Sequence, residues 1–183
     1  MHAFPLRTCL LLSALAATAA LSALPTDAHA GERVRGRAVA HGSEGGRVSA
    51  AGAAARGEQG GYLRGRRVAS DGQGNVAGRS SAAVQGAQGG SAVRQGSFER
   101  HADGSASRQG SAQATGANGG TASSTGSVTR DAAGNVNGSR TTHATGANGA
   151  TYDASTTVED GTASRTATCT NAAGDVVPCR GGR

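Results

Sequence analysis

The sequence predicts a mainly β protein of repeated antiparallel hairpins, forming an open meander or a β-solenoid-like stack, behind a cleaved helical signal peptide. Three observations predict this fold. Glycine recurs every fifteen residues, Asp- and Asn-rich turn motifs surround those glycines, and the segments between them are rich in Ser, Thr, Ala and Val. The mature chain has no apolar period of about 3.6 residues, which an amphipathic helix would show.

Residues 1–30 have the features of a secretory signal peptide. One arginine precedes an apolar run from Cys9 to Ala23, and the small residues Ala28 and Ala30 suit a signal peptidase. The run is too short for a membrane span of roughly 20 residues. We therefore expect cleavage after Ala30 and export to the periplasm, the outer surface or the medium.

The mature chain is poor in core-forming side chains. Residues 31–183 contain twelve Val, two Tyr, one Leu and one Phe, and no Ile, Met or Trp. Burial of one such side chain contributes roughly 1.5–3 kcal/mol, whereas ordering each residue costs roughly 1–2 kcal/mol. This excludes a conventional globular core and leaves disorder or a repetitive structure, of which the periodicity favours the second.

The strongest signal is a glycine at every fifteenth position. The series consists of Gly74, Gly89, Gly104, Gly119, Gly134 and Gly149. Large side chains also recur every thirty residues, at Val68, Phe98, Val128 and Val158. A strand and turn of fifteen residues, paired into a thirty-residue hairpin, accounts for both periods.

The turn chemistry alternates along the chain. Glycine permits a positive φ, and Asp71 and Asp131 can bind the turn backbone through their carboxylates. Asp- or His-led turns begin at residues 71, 101 and 131, and Gly-led turns begin at 86, 116 and 146. An up-and-down sheet would place one type at each end of its strands.

Some motifs resemble known repeat families. The stretch TRDAAGNV, ending at Val136, is similar to the D-x-x-G-N turn of RHS/YD repeats, although Arg130 replaces the usual Tyr. The stretch QGNVA, from Gln73, resembles the repeats of curli-type amyloid subunits. The chain as a whole resembles uncharacterised exported Gly/Ala/Ser/Thr-rich repeat proteins of Gram-negative bacteria. These likenesses imply extracellular hairpins and no particular activity.

Positive charge is concentrated near the mature N-terminus. Residues 31–67 have eight Arg and three Glu, a net charge of +5, whereas residues 68–183 have nine Arg and eight acidic residues, a net charge of +1. We expect 31–67 to be a partly disordered or atypical-repeat segment preceding a β-repeat domain at 68–183. Its candidate contacts to lipopolysaccharide, acidic polysaccharide or extracellular DNA are Arg33, Arg35, Arg37, Arg64, Arg66 and Arg67.

Two cysteines remain after signal cleavage, Cys169 and Cys179. In an exported chain such a pair favours a disulfide, here closing a C-terminal clasp. No group of residues indicates catalysis, a metal site or a cofactor, and three aromatic side chains are too few for specific nucleic-acid recognition.

These features favour an exported, non-enzymatic repeat protein with a structural or surface-interaction role in an envelope, a matrix or adhesion. One alternative is a polyanion-binding module that acts through residues 31–67. Another is an amyloid-like subunit that assembles through its sheet edges.

Overall fold

A computed structural model of the protein describes residues 31–179. The predicted signal peptide at 1–30 lies outside the described residues. The described part is one sheet of eleven strands. The strands are β1 Glu32–His41, β2 Arg47–Gly57, β3 Gly60–Ser70, β4 Val76–Gly86, β5 Ser91–Arg100, β6 Ala106–Thr115, β7 Thr121–Arg130, β8 Val136–Thr145, β9 Thr151–Glu159, β10 Thr162–Thr170 and β11 Val176–Val177.

The strands follow one another across the sheet in chain order, and each pair is antiparallel. This confirms the predicted hairpin repeat and makes the fold an open meander rather than a solenoid. The segment 31–67 forms β1, β2 and most of β3 in the same sheet, and residue 68 lies within β3. None of the residues 31–179 belongs to a helix long and apolar enough to span a membrane.

Most hairpins share one turn design, illustrated by residues 86–90, whereas the turns at 58–59 and 160–161 have only two residues. The amide of Gly89 donates to the carbonyl of Gly86 at 3.2 Å, and the amide of Gly86 donates to the carbonyl of Gly90 at 2.7 Å. This is a type I turn followed by a left-handed residue in a G1 bulge. The six glycines of the fifteen-residue series all have φ between +85° and +99°. The series therefore marks the residue in each turn that requires a positive φ.

The register determines which side chains share a side of the sheet. Opposed residues in an antiparallel pair lie on the same side, and successive residues of a strand alternate between sides. The residues spaced by thirty thus fall in one row, on every second strand. Within this row Phe98 opposes Gly78, and a Cβ at Gly78 would lie 2.2 Å from Cε1 of the ring. The glycine leaves room for the ring and is buried beneath it.

The sheet is a single layer in the described part of the chain. Ala53 is the one buried apolar side chain there, with 7% of its surface exposed. Larger apolar side chains on both sides stay about half exposed, including Leu63 at 49% and Val84 at 50%. Backbone ladders and cross-strand contacts therefore hold the fold together without an enclosed core.

The C-terminus folds back onto the sheet through the predicted disulfide. Cys169 in β10 is bonded to Cys179, with their Cα atoms 5.3 Å apart. Between them, β11 pairs with the end of β10 at only two positions. The disulfide therefore fixes a very short last strand.

Candidate functional site: an arginine face

One side of the sheet carries most of the arginines, and we call it the arginine face. Twelve arginines project from it, and each is exposed. They are Arg33, Arg35, Arg37, Arg47, Arg64, Arg66, Arg94, Arg100, Arg108, Arg130, Arg140 and Arg165. No Asp or Glu of the eleven described strands projects from this side. The strands therefore present only positive charges on this face.

The arginine face reaches beyond the basic segment at 31–67. Five of the six predicted polyanion contacts lie on it, and Arg67 projects from the opposite face, where it opposes Arg79. The arginines of β5 to β10 join the same side, although their part of the sequence is nearly neutral. The net charge of this part of the sequence does not reveal these arginines, because the acidic residues that balance them lie in turns or on the opposite face.

The arginines of β1, β3 and β5 form a ladder across the strands. Arg35 opposes Ala53, which opposes Arg64 on its other side. Arg64 in turn opposes Ala82, which opposes Arg94. Successive arginines of this ladder are two strands apart, a distance of about 9.6 Å. The small alanines between them leave these charges accessible to an extended ligand.

A shallow depression of about 990 Å³ lies in the middle of the arginine face. Its floor is a row of three opposed glycines on β5, β6 and β7, namely Gly96, Gly110 and Gly126. Arg94 and Arg140 are among the side chains around it. The depression thus combines exposed backbone with cationic walls, which suits an extended anionic chain.

Local contacts hold some of these arginines in place. The Nε of Arg140 donates to Oγ of Ser124 at 2.9 Å, and its stem lies over Gly126. The guanidinium of Arg64 lies 6.0 Å from the ring centroid of Tyr62, within reach of a cation–π interaction. Both contacts orient a guanidinium without neutralising its charge.

The opposite face has two different halves. On β1 to β5 it is rich in small and apolar side chains, including Val34 and Leu63, and we call this the alanine half. On β6 to β10 it carries mainly Ser and Thr, which we call the hydroxyl half. One row of the hydroxyl half is entirely threonine across five strands: Thr115, Thr121, Thr145, Thr151 and Thr170. All four acidic residues of the described strands lie on this opposite face, at Glu32, Glu99, Asp153 and Glu159.

The hydroxyl half contains a His–Asp contact that was not predicted from the sequence. Nδ1 of His143 lies 2.5 Å from Oδ1 of Asp153 on the neighbouring strand, and Nε2 lies 3.3 Å from Oγ1 of Thr145. This is the order of groups in a hydroxyl–imidazole–carboxylate triad. The side chains of His143 and Asp153 are 54% and 56% exposed, and the backbone amides around them form the hydrogen bonds between the strands. We interpret them as a polar cross-strand pair.

The predicted turn aspartates act within their turns. Oδ1 of Asp131 accepts the amide of Asn135 at 2.9 Å, and Oδ2 accepts Nδ2 of the same residue at 2.7 Å. Asp71 makes the same contacts with Asn75. The hydrogen bond from each Asn side chain is the main cause that lowers the pKa of these two carboxyl groups. The side chain of Ser105 likewise lowers the pKa of Asp103.

These turns also contact each other. Oδ1 of Asn75 accepts the amide of Ala102 from the next turn at the same end of the strands, at 3.0 Å. Oδ1 of Asn137 accepts the amide of Asp160 at 3.2 Å. The polar turn side chains therefore join hairpins that are not consecutive.

Comparison with protein-family models, curated proteins and solved structures found no match. Within residues 31–179, no three His, Cys, Asp or Glu side chains lie close enough to hold a metal ion.

Proposed function

We propose that the protein is an exported surface-interaction component of an envelope or matrix, and that its arginine face binds anionic polymers. The observation that carries this proposal is the placement of twelve of the fifteen arginines of the described strands, and of none of their carboxylates, on one side of the sheet. A ligand that extends across several strands gains contacts from each of them. Lipopolysaccharide, acidic polysaccharide and extracellular DNA all present repeated anionic groups.

The geometry favours extended polymers over small anions. The arginines are distributed over strands β1 to β10, and the central depression is shallow and open. No single position brings all of them to one phosphate or carboxylate. Because exposed charge pairs contribute only about 0.2–1 kcal/mol each, useful affinity requires many of them together.

Two matched double variants test the role of the arginine face. Arg64→Gln with Arg94→Gln removes two charges from the arginine face. Arg56→Gln with Arg79→Gln removes two charges from the opposite face. Both proteins have the same net charge, so a difference between them reports the position of the charges.

We expect the arginine-face variant to bind immobilised heparin roughly 2- to 30-fold more weakly, and the opposite-face variant to bind almost as well as the unmodified protein. Binding by the unmodified protein should weaken as salt increases, since ions screen exposed charges. Equal losses in the two variants would contradict a face-specific site. Absence of binding at low salt would contradict polyanion binding altogether.

Assembly through sheet edges is the second candidate, and the open outer edge of β1 favours it. In an antiparallel pair of β1 strands centred on Arg35, Arg33 would oppose Arg37, and Arg35 would oppose its own copy. Like charges directly opposed destabilise such a pair. Fibrils with concentration-dependent thioflavin fluorescence would favour this candidate, and a species of fixed small size would exclude it.

A further inference from the structure

We propose that two copies of the chain pack face to face through the alanine half, which leaves both arginine faces outward. The contact surface comprises the opposite-face side chains of β1 to β4. It includes Val34 and Leu63, which stay 55% and 49% exposed in the single chain. Sheets normally bury an apolar face against a second layer, and the described chain supplies none.

The arrangement of large and small side chains on this surface is self-complementary. A two-fold axis parallel to the strands, placed between β2 and β3, sets β2 over the partner's β3 and β1 over the partner's β4. Leu63 then meets Ala54 of the second copy, because these two residues share one row of the sheet. Val34 meets Ala83 by the same rule.

The other rows obey the same pattern. Val48 meets Ala69, and Gly36 meets Ser81. Aligned packing of two sheets about 10 Å apart needs such alternation, so that side chains of one layer enter gaps in the other. In all five rows, no large apolar side chain meets another.

The charged side chains of this surface lie in two of its five rows. Arg67 meets Ala50, and Arg79 meets Ala38, so their aliphatic stems lie on methyl groups. Glu32 meets Gln85 and Arg56 meets Gly61, so no charge of one copy directly faces a charge of the other.

Arg67 also opposes Arg79 within each sheet, and the axis brings the two pairs into one row. Salt should therefore strengthen the dimer, because ions screen the repulsion among these four charges.

The area is sufficient for a stable pair. Four strands of about 4.8 Å spacing and eleven residues of about 3.3 Å rise present roughly 700 Å². Two such faces bury roughly 1,400 Å², within the range of specific protein interfaces. A second copy therefore fits both the size and the contour of the surface.

This dimer is independent of the proposed polyanion binding, but it would make that binding bivalent. Each outward face would carry its own arginines, so one dimer could join two anionic chains. The dimer is tested without any ligand. Because Arg56 and Arg79 lie in the contact surface, the oligomeric state of the opposite-face heparin variant is measured together with its binding, so that the two proposals fail separately.

The test exchanges a large and a small side chain across the axis. Leu63→Ala removes a projecting group and Ala54→Leu fills the gap that receives it, whereas the double variant restores one large group against one small group. Sedimentation velocity over a range of concentrations measures each dissociation constant. Val84→Ala is the matched control, because Val84 is 50% exposed on the adjacent strand and projects from the arginine face.

We expect the mature protein to be a dimer that each single substitution weakens at least about tenfold, since Leu63 is buried twice per dimer. The double variant should regain most of the affinity, and Val84→Ala should have little effect. Circular dichroism should show the same β spectrum in all variants. A monomer at all concentrations, a fibre, an unrestored double variant or a dimer weakened equally by Val84→Ala would overturn the proposal.

Discussion

At the residue scale, the glycines of the turn series matter for their backbone conformation and not for space. An ideal Cβ at Gly134 has no heavy atom within 4 Å, yet its φ is +96°. A non-glycine residue in this left-handed region costs roughly 1–2 kcal/mol. Glycine therefore recurs every fifteen residues because the backbone adopts a positive φ at each of these positions.

Substitution of Gly134 tests this directly. We expect Gly134→Ala to lower the free energy of unfolding by roughly 1–2 kcal/mol, and Gly134→Asn to lower it by less, because Asn tolerates positive φ better. Gly96→Ala is the control, since a Cβ at Gly96 would meet no heavy atom closer than 3.4 Å but Gly96 lies within β5 and lacks a positive φ. Urea unfolding of the three variants provides the measurement. An equal effect at both glycines would contradict the conformational explanation.

The turn carboxylates predict an acid-sensitive fold. Hydrogen bonds lower the pKa of Asp71, Asp103 and Asp131 below the ordinary value of 3.8. Their stabilising contribution is therefore present above the unfolded pKa and is lost as pH falls through the lowered folded values. We expect the thermal midpoint to decrease below about pH 4.

The substitution Asp131→Asn tests how much one of these turns contributes to the acid sensitivity. Asp131→Asn cannot offer two acceptor oxygens to Asn135, so it should destabilise the protein at neutral pH and reduce the loss of stability between neutral and acidic pH. Thermal unfolding at pH 6 and at pH 2.5 compares the two proteins. An unchanged acid dependence would show that Asp131 does not contribute to it.

At the element scale, the sequence predicts the strands well and the faces poorly. The turn glycines locate the strand boundaries because each must occupy a left-handed position. Which side a residue projects from depends on the parity of the turn, and a shift of one residue reverses every side chain of the following strand. The two-residue turn at 58–59 causes such a change, so odd-numbered Arg35 and even-numbered Arg64 share a side.

The arginine face therefore could not be inferred from charge counts in segments. Arg66 and Arg67 are adjacent in sequence and project from opposite sides. Conversely, Arg94 lies outside the basic segment and belongs to the same ladder as Arg35. Only the register of the intervening strands joins them.

The last element depends on the disulfide. β11 pairs with β10 at two positions, which is too little for independent stability, and the ten-residue span closed by Cys169 and Cys179 gives at most about 3 kcal/mol. We expect Cys179→Ser to raise hydrogen exchange at Val176 and Val177 while the amides of β5 to β7 stay protected. Cys169→Ser should do the same. Loss of protection throughout the sheet would show that the clasp supports more than its own hairpin.

At the scale of the whole molecule, a sheet without an enclosed core exposes both of its faces to possible partners, and the opposite face has two halves of different chemistry. The arginine face offers charge and exposed glycine backbone, the alanine half offers self-complementary contours, and the hydroxyl half offers rows of Ser and Thr. The scarcity of large apolar side chains is consistent with this arrangement, because hydrogen bonds between strands and well-formed turns stabilise the sheet, and no core has to be filled. The proposed binding to anionic polymers would use the arginine face directly.

Each of these surfaces depends on the strand register. Residues 31–179 contain a single phenylalanine, Phe98, so its ring protons can be assigned without ambiguity by solution NMR of a chain that begins at residue 31. In the antiparallel meander the ring lies over Gly78 of β4, whereas Val128 lies in the opposite direction, two strands from Phe98 at about 9.6 Å. The register therefore predicts strong nuclear Overhauser effects from the Phe98 ring to the α-protons of Gly78, with those protons shifted upfield by the ring. Strong contacts to Val128 instead, or to Ala77 or Arg79, would contradict the meander or its register, and with it the arginine face.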